Sequence, residues 1–352
     1  MRIIVTGGCG FLGSSLCLKL KQKYPKYSIV AFDNLKRRGS EINLIDLSSN
    51  HIEFIHGDIR NIEDLELIGE FDVLVDASAE PSVTSGLDNN PNFVINNNLY
   101  GSINCFNLCL KYNAKLVFVS TSRVYPINEL NNISFFEEQT RFSIAELQTK
   151  LGVTKLGISE ELSLSGPRSF YGSTKLSAEI LIQEYSEFYD LKASIIRFGV
   201  IAGPRQMGKI DQGVATLWMA KHYWKKQLKY IGFNGTGKQV RDILHIDDAT
   251  DLIDLQIHNI ELFNNKIFNV GGGVSNSLSL LEMTKICEDI TGNKIKIDSE
   301  KENRSADIRI YITDNTKIQN EINWVPKHNV NTIFEDIFYW INSNENKLKK
   351  IL

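Results

Sequence analysis

The chain has 352 residues, of which 42% are hydrophobic and 23% charged, and its formal net charge at pH 7 is −3. This composition is typical of a globular protein with a sizeable core, and the near balance of charges gives no electrostatic reason to expect nucleic acid or a membrane as a partner. The five cysteines match no zinc or redox spacing, so no metal site is predicted and Cys105 and Cys109 are expected in the core. We expect a cytoplasmic protein, because the sequence shows neither a signal peptide nor an apolar run of membrane-spanning length.

The first predicted element is a strand at 2–6, which ends in glycines and is followed by a helical pattern. Gly7 permits a tight turn, Gly10 lets the backbone approach a pyrophosphate, and Gly13 lets the helix pack closely on the strand. The N-terminus of such a helix attracts phosphate oxygens. In this context the glycine spacing predicts a dinucleotide-binding turn.

The next strand, at 28–33, ends in Asp33, twenty residues after Gly13. An acidic side chain at this place holds the adenine-ribose hydroxyls of NAD and repels the 2′-phosphate of NADP. Basic residues follow closely at 36–38, so NAD is favoured while NADP stays open. The alternative role of Asp33 is that of a turn residue beside Asn34.

Further strands are predicted at 52–58, 71–78, 114–120 and 191–199. One long helix is predicted at 92–112. Strands that alternate with helices predict an α/β fold with a Rossmann-type, doubly wound parallel sheet, which binds its ligand at the carboxyl ends of the strands. Asp33, Asp58, Ala77 and Thr121 all fall at such ends. We therefore expect these side chains along one edge of the sheet.

The pattern changes after residue 200 to shorter, mixed elements. We expect an NAD-binding Rossmann domain at 1–200, to which 240–256 returns, and a smaller mixed α/β domain at 201–352 that binds a nucleotide sugar. Arg and Gln side chains in the loops of the second domain suit an anionic ligand, because an Arg fork matches phosphate oxygens bidentately. Residues 126–166 are polar without a clear period and predict an irregular loop insertion.

A tyrosine and a lysine four positions apart, Tyr171 and Lys175, lie on one face of a predicted helix. A nearby ammonium and a bound cationic cofactor could together lower the pKa of the phenol from about 10 towards neutrality, which requires roughly 4 kcal/mol of differential interaction. The alternative is an exposed helix pair of small stabilising value. The glycine turn, Asp33 and Thr121 favour a proton-abstracting unit that faces NAD.

These residues resemble the extended short-chain dehydrogenase/reductase family and, within it, the nucleotide-sugar epimerases. The resemblance spans nearly the whole chain and is carried by Thr6-Gly-Gly-Cys-Gly-Phe-Leu-Gly13, Asp33-Asn34, His56-Gly-Asp58, Asn98, Ser120-Thr121, Tyr171 with Lys175, Arg241-Asp242-Ile-Leu-His245 and Asn269-Val-Gly-Gly272. A second set is similar to epimerases that act at carbon 2 of a CDP-linked dideoxyhexose, and it includes Arg205-Gln206, Asp211-Gln-Gly213, Gly237-Lys-Gln-Val-Arg-Asp242 and Asn276-Ser-Leu-Ser-Leu-Leu-Glu282.

The resemblance implies a catalytic triad in which Tyr171 is the general base towards a sugar hydroxyl. Lys175 would hold the nicotinamide ribose and lower the pKa of Tyr171, and Thr121 would hydrogen-bond the reacting oxygen. Contacts with NAD are implied for Gly7, Gly10, Phe11, Leu12, Gly13, Asp33, Asn34, Asp58, Ile59, Ala77, Ala79, Asn98, Tyr171 and Lys175. Contacts with the nucleotide-diphosphate sugar are implied for Arg123, Arg205, Gln206, Gln212, Arg241 and Arg309.

Several positions differ from the usual family patterns. Ser122-Arg123 stands where sugar 4,6-dehydratases have an Asp-Glu pair, which disfavours dehydration, and Val200 stands where many 4-epimerases have Asn. Asp76-Ala-Ser-Ala79 replaces the usual His-Ala-Ala segment, and Pro126 replaces a common glycine. The insertion at 126–166 matches no motif and leaves the identity of the sugar open.

We predict that the chain epimerises a nucleotide sugar by transient oxidation and hydride return, with NAD kept bound, at carbon 2 of a CDP-dideoxyhexose-like substrate. The alternative is a UDP-sugar 4-epimerase or another nucleotide-sugar reductase or dehydratase of the same family. A non-catalytic NAD-binding protein is a third possibility, which the intact triad disfavours. The resemblance also implies a homodimer or homotetramer and a role in carbohydrate biosynthesis.

Overall fold

The computed structural model describes residues 1–87, 90–209 and 212–352. The strands are β1 (Arg2–Thr6), β2 (Ser28–Asp33), β3 (Glu53–His56), β4 (Val73–Asp76), β5 (Lys115–Thr121), β6 (Phe135–Glu137), β7 (Phe142–Ile144), β8 (Val153–Thr154), β9 (Gly157–Ile158), β10 (Ala193–Phe198), β11 (Val200–Ala202), β12 (Leu228–Ile231), β13 (Val240–His245), β14 (Ile267–Val270), β15 (Ser277–Ser279), β16 (Ile297–Glu300) and β17 (Ile310–Tyr311). The α-helices are α1 (Phe11–Lys23), α2 (Ser40–Ser49), α3 (Ile62–Glu66), α4 (Asn92–Ile95), α5 (Gly101–Tyr112), α6 (Ile127–Asn131), α7 (Phe170–Tyr189), α8 (Val214–Tyr223), α9 (Ile246–His258), α10 (Ile260–Phe263), α11 (Leu280–Thr291), α12 (Thr316–Ile322), α13 (Val330–Ser343) and α14 (Glu345–Leu348).

A seven-stranded sheet with the order β14-β10-β5-β4-β1-β2-β3 forms the centre of the fold. The strand pairs β1–β2, β1–β4, β2–β3 and β4–β5 are parallel. The chain runs from β1 outwards to β2 and β3 and then returns to β4 on the other side of β1, so the order reverses between β1 and β4. This confirms the doubly wound α/β fold, in which ligands bind at the carboxyl ends of the strands near that reversal.

The chain forms two compact units. The first comprises Met1–Thr121, Phe170–Arg197 and Ala249–Phe268, and the second comprises Ser122–Ser169, Phe198–Asp248 and Asn269–Leu352. These bounds group 122–169 with the second unit, whereas the expected first domain ran through 1–200. The assignment of NAD and nucleotide sugar to separate domains stays a prediction.

The core of the first unit is built by α5 and α7 against the sheet. Phe106 on α5, Phe118 on β5 and Ala178 on α7 belong to one buried cluster. Cys105 and Cys109 are also buried in it, as the sequence predicted, and both are free thiols. This packing fixes α7, the helix that carries Tyr171 and Lys175, on β5.

The predicted helix at 92–112 is wrong in one respect, because it is not a single α-helix. A π-helical turn at Asn96–Tyr100 separates α4 from α5. Such a turn inserts one residue into the helical ladder and often marks a functional site. Helical periodicity in the sequence does not reveal one inserted residue.

The prediction of an irregular insertion at 126–166 is also wrong. The segment contains α6 and two antiparallel hairpins, β6–β7 and β8–β9. Phe142 at the start of β7 packs in a small buried cluster with Val240 and Ile310 of the second unit. The elements are too short to produce a recognisable period, so tertiary packing rather than local pattern defines them.

Candidate active site

The glycine turn after β1 has the geometry of a phosphate cradle. Gly7 has φ +63°, and a Cβ atom on it would lie 2.9 Å from the carbonyl oxygen of Ala77. A Cβ atom on Gly13 would lie 2.2 Å from the carbonyl oxygen of Gly7, so helix and turn are in direct backbone contact. The N-cap residue of α1 is Gly10, which has no side chain to cover the first amide groups. These N–H groups, which no N-cap side chain covers, fit the pyrophosphate of NAD.

Asp33 lies at the end of β2, beside this turn. Its carboxylate accepts hydrogen bonds from the backbone N–H of Cys9, at 3.0 Å, and of Leu35, at 2.7 Å. Burial raises the pKa of Asp33 and also raises the pKa of the Cys9 thiol, to about 12. The bond from Leu35 is the turn role beside Asn34 that the sequence left open, and the bond from Cys9 also holds the glycine turn; the contact of Asp33 with the ribose stays a prediction.

Asp58 and Asn34 are brought together by the neighbouring strands β2 and β3. The Asn34 amide donates to Asp58 at 2.9 Å, and Arg60 binds the same carboxylate through two of its nitrogens, at 2.9 and 2.6 Å. The hydrogen bonds from Arg60 lower the pKa of Asp58. Ile59 is buried and its carbonyl oxygen accepts from Asn104 on α5.

Asn98 holds the loop that follows β4. Its side chain accepts a hydrogen bond from the backbone N–H of Glu80, at 2.7 Å, and donates to the carbonyl oxygen of the same residue, at 3.0 Å. Asn98 is fully buried, whereas Ala77 and Ala79, in the loop it holds, are partly exposed. The π-helical turn thus positions the loop that carries these two predicted NAD contacts.

The predicted base and its lysine lie on the first two turns of α7. Tyr171 is partly exposed, whereas Lys175 is only 2% exposed. The Lys175 ammonium donates to the carbonyl oxygen of Val119 at 2.9 Å and lies 4.4 Å from the centroid of the Phe118 ring. Burial lowers the pKa of Lys175. Thr121, also buried, ends the same strand two residues after Val119, so all three predicted catalytic residues belong to α7 and β5 of the first unit.

A buried ion pair lies one turn further along α7, and sequence reasoning missed it. Glu179 is fully buried, and Arg197 on β10 binds its carboxylate through Nε and Nη2, at 3.0 and 2.7 Å to Oε2. Ser120, the residue before Thr121, donates its hydroxyl to the same carboxylate. The periodicity from Tyr171 to Lys175 to Glu179 was the available signal, because the three share one helix face.

Asp76 is a second carboxylate that the sequence did not single out as functional. It ends β4, is fully buried, and accepts hydrogen bonds from the hydroxyls of Thr6, at 2.9 Å, and Ser102, at 2.6 Å. In the sequence, only the presence of Asp76 where the family usually has histidine indicated that this residue could have a special role.

In the second unit, Arg241 on β13 lies among other cations. Its guanidinium donates to the carbonyl oxygens of Val240, at 2.7 Å, and Ile308, at 2.6 Å. Burial and the positive charges of Arg123 and Arg304 lower the pKa of Arg241 to about 9. Arg123 donates to the carbonyl oxygen of Ala306 at 3.2 Å. Asp307 and Asp242 offset these charges in part, and an anionic ligand would compensate the remainder.

Arg309 lies in a different environment from Arg241. Its guanidinium carbon is 4.1, 5.4 and 5.8 Å from the ring centroids of Phe135, Phe233 and Phe142, and Nη1 donates to the carbonyl oxygen of Asn131 at 3.1 Å. These contacts make Arg309 part of the packing around the β6–β7 hairpin. Its predicted contact with a diphosphate stays a prediction.

The remaining predicted substrate contacts lie between β11 and α8. Gln206 donates to the carbonyl oxygen of Ile201 at 2.9 Å and accepts from the hydroxyl of Thr216 at 3.0 Å. Arg205 has φ +72°, a left-handed conformation that non-glycine residues adopt infrequently. Gln212 forms an isolated bridge with Lys209, and Asp211 of the same motif lies outside the described residues. No finding tests the roles of these side chains.

Two histidines of the second unit stack with their ring centroids 4.4 Å apart, although they are distant in sequence. With Asp247, His245 and His328 bring possible ligand atoms to within 4.8 Å of one another. However, Nδ1 of His245 accepts the backbone N–H of Asp247 at 3.0 Å, and Nδ1 of His328 lies 2.9 Å from the Asp248 carboxylate. These nitrogens already have protein partners, so we interpret the cluster as a structural link between β13 and the segment before α13.

The doubly wound sheet, the glycine cradle and the Tyr171–Lys175 helix define an NAD-binding enzyme of the short-chain dehydrogenase/reductase type. The sequence matches the model of the NAD dependent epimerase/dehydratase family over residues 3–271. The chain belongs to this family. It is therefore an NAD-dependent enzyme of the nucleotide-sugar epimerase class, which confirms the predicted class and cofactor.

Individual relatives cover almost the whole chain. The chain is 32% identical to CDP-paratose 2-epimerase of Salmonella typhi over 97% of its own length and all of that protein. It is 24% identical to dTDP-glucose 4,6-dehydratase of Mycobacterium tuberculosis strain H37Rv, over 98% of this chain and 94% of that one. Among solved structures, dTDP-glucose 4,6-dehydratase from Bacillus anthracis in complex with NAD is similar with a TM-score of 0.76, at 26% identity over the full length of both chains.

Within the described residues, no helix is both long enough and apolar enough to cross a membrane.

Proposed function

We propose that this chain epimerises a nucleotide-diphosphate sugar, at carbon 2 of a CDP-dideoxyhexose-like substrate. The observation that carries the proposal is the position of Lys175. Lys175 lies one helical turn after Tyr171, and its ammonium donates a hydrogen bond to the carbonyl oxygen of Val119. Val119 lies two residues before Thr121 on β5. This arrangement can stabilise a phenolate at Tyr171 while Thr121 donates a hydrogen bond to the reacting oxygen.

Tyr171 removes the proton of the sugar hydroxyl, and the same phenol returns a proton when the hydroxyl forms again. Bound NAD supplies the acceptor and donor of the hydride that leaves and returns to the sugar carbon. Thr121 holds the reacting oxygen, and Lys175 holds the ribose and favours the phenolate. NAD contacts are assigned to the glycine cradle, Asp33 and the loop held by Asn98.

Binding of the diphosphate is assigned to the cations of the second unit. Arg123 and Arg304 repel Arg241, which Asp307 and Asp242 offset in part, and an anionic ligand would relieve that repulsion. Arg205, Gln206 and Gln212 are assigned to the nucleotide or sugar on their resemblance alone. Arg309 is also assigned to the diphosphate, in addition to its packing against the three phenylalanine rings.

The choice of reaction and substrate rests on residue differences and on similarity. Ser122-Arg123 lacks the acid pair that a dehydratase needs to eliminate water, and 32% identity to a CDP-paratose 2-epimerase favours a CDP sugar and carbon 2. A UDP-sugar 4-epimerase is the second candidate, because the shared family includes such enzymes. Only one residue difference, Val200 in place of Asn, argues against it. We further propose a cytoplasmic homodimer or homotetramer.

The test combines binding with product analysis. CDP-, UDP- and dTDP-linked sugars are added to the purified NAD-loaded protein, and the melting temperature identifies those that bind the folded state. Each binding sugar is then incubated with the enzyme in D2O and the product is examined by NMR. We expect an epimer at carbon 2 without net oxidation of substrate or consumption of added NADPH, and without deuterium at the epimerised carbon.

Other products would contradict the proposal. A 4-keto-6-deoxy sugar would identify a dehydratase, stoichiometric use of NADPH a reductase, and an epimer at carbon 4 of a UDP sugar the second candidate. Full incorporation of deuterium would indicate enolisation instead of hydride return. Tyr171→Phe serves as the control without the base.

A further inference from the structure

The predicted catalytic lysine and three other charged side chains of the first unit are buried. Asp76 and Glu179 are fully buried, Lys175 is 2% exposed and Arg197 is 3% exposed. Removing a charge from water is costly unless an opposite charge compensates it. The two carboxylates equal the two cations in number, and the geometry shows which cation compensates each carboxylate.

Glu179 is compensated by Arg197. The carboxylate accepts hydrogen bonds from Arg197 Nε at 3.1 and 3.0 Å and from Nη2 at 2.7 Å, and it also accepts the Ser120 hydroxyl. Both oxygens are thus occupied by partners other than Lys175. The remaining cation is Lys175 and the remaining carboxylate is Asp76.

Asp76 and Lys175 both lie next to Phe118. Asp76 is the register partner of Phe118 in the parallel pair β4–β5, and the Lys175 ammonium lies 4.4 Å from the Phe118 ring centroid. The charges of both Asp76 and Lys175 also act on the thiol of Cys105 on α5. Asp76 and Lys175 therefore share the same buried face of the sheet, beneath α5 and α7.

Two hydroxyls donate hydrogen bonds to the Asp76 carboxylate. Thr6 donates to Oδ1 at 2.9 Å and Ser102 donates to Oδ2 at 2.6 Å. Hydrogen bonds donated to a carboxylate favour its charged state. Within the described residues, the hydrogen-bond partners of the Asp76 side chain are thus neutral hydroxyls rather than a cation.

We propose that Asp76 is a positioning residue that supplies the counter-charge of the buried Lys175 ammonium and keeps it charged beside Tyr171. The inference rests on the proposed function for the role of Lys175 and adds a residue to which no catalytic contact is assigned. Lys175 acts on the phenol only as an ammonium, so loss of its proton would remove the stabilisation of the Tyr171 phenolate.

The groups around Lys175 support this assignment. Burial lowers the pKa of Lys175, and Asp76 is foremost among the groups that raise it, followed by Glu179 and Cys105. On β10, Arg197 binds the Glu179 carboxylate and so offers that carboxylate a cation other than Lys175. The phenol of Tyr171 lies one turn before Lys175 on the same helix face.

The test measures the charge of Lys175 directly. Protein labelled with [ε-13C]lysine and loaded with NAD is titrated by NMR, and the signal missing from Lys175→Met identifies Lys175. In Asp76→Asn the new amide can accept from Ser102 and donate to Thr6, whose hydroxyl can then donate to the Val75 carbonyl oxygen. We expect the midpoint for Lys175 to fall by about one pH unit or more, as for loss of a nearby opposite charge. An unchanged midpoint would overturn the proposal.

A matched control separates charge from packing. Ser102→Ala removes the 2.6 Å hydrogen bond but keeps the Asp76 charge, so the Lys175 midpoint should stay close to that of the unmodified protein. An equal fall in Ser102→Ala and Asp76→Asn would assign the effect to packing and overturn the proposal. If Asp76→Asn does not fold, Asp76→Ser removes the same charge with a smaller side chain and is titrated in its place.

The pH profile of turnover is the second readout. The alkaline limb of kcat should move to lower pH in Asp76→Asn, whereas a purely structural effect would lower kcat at every pH without moving the limb. The NMR titration requires no sugar. An enzyme that turns over no nucleotide sugar would therefore overturn the proposed function alone, whereas an unmoved Lys175 titration in an active enzyme would overturn this inference alone.

Discussion

Lys175 on α7 donates a hydrogen bond to the carbonyl oxygen of Val119 on β5 at 2.9 Å. This bond joins the helix that carries Tyr171 to the strand that ends in Thr121. Because Lys175 is buried, the bond also fixes where a positive charge can act on the phenol. The position of the lysine, added to the sequence spacing, supports the proposed role of Tyr171 and Lys175 in proton abstraction.

Tyr171→Phe should lower kcat by about a hundredfold to ten-thousandfold, the usual contribution of a general acid–base group. The ring and its packing are retained, so NAD should still bind with similar affinity. Turnover is measured by NMR with the identified sugar, and NAD retention by absorbance after gel filtration. Turnover close to that of the unmodified enzyme would show that Tyr171 is not the base.

Glu179→Gln should destabilise the fold by about 3–5 kcal/mol, because it leaves the buried Arg197 without a compensating charge. The free energy of unfolding is obtained from urea titration followed by circular dichroism. Glu187→Gln is the matched control, since Glu187 is exposed on the same helix, and it should cause no resolvable loss. Equal stability of the two variants would show that the buried pair is not a major stabilising contact.

Affinity for a nucleoside diphosphate should decrease as the pH rises through about 9, where Arg241 loses its proton. The sign follows from linkage: the anion binds the charged guanidinium, so affinity is full below the pKa of the free protein and falls above it. Titration calorimetry of CDP binding across this range provides the measurement. Arg123→Gln removes a repelling charge and should move the decrease to higher pH.

Arg241→Gln provides the corresponding control. It should weaken CDP binding about tenfold or more at neutral pH, as expected for a lost hydrogen bond to a charged group. The decrease near pH 9 should then disappear. A decrease that persists in this variant would assign the titration to another group.

Arg309→Met should lower the free energy of unfolding by about 1 kcal/mol, because it removes the interaction of the guanidinium with the aromatic rings. Methionine keeps an apolar side chain in the same space. Urea unfolding and CDP binding are measured on the same variant. Unchanged CDP affinity would identify Arg309 as a packing residue, whereas a large rise in Kd with unchanged stability would support the predicted phosphate contact.

The sequence predicted the features that local patterns encode. Apolar runs predicted β1 and β2, the glycine spacing after β1 predicted the cradle, and helical spacing predicted α7 with Tyr171 and Lys175 on one face. The same residues were sufficient to predict the family and NAD, which the comparisons confirmed. The reason is that periodicity and turn chemistry act over a few neighbouring residues.

Only the tertiary structure decided which distant residues meet. Nothing local pairs Glu179 with Arg197, places Asp76 beside Phe118, or encloses Arg309 in three phenylalanine rings. Strand order and helix packing create these contacts, and the burial that makes the charges interact strongly arises from the assembled core. The sequence alone thus determined a Tyr–Lys pair on one helix face and a glycine turn typical of NAD binding, and the fold determined the electrostatic environment of this pair.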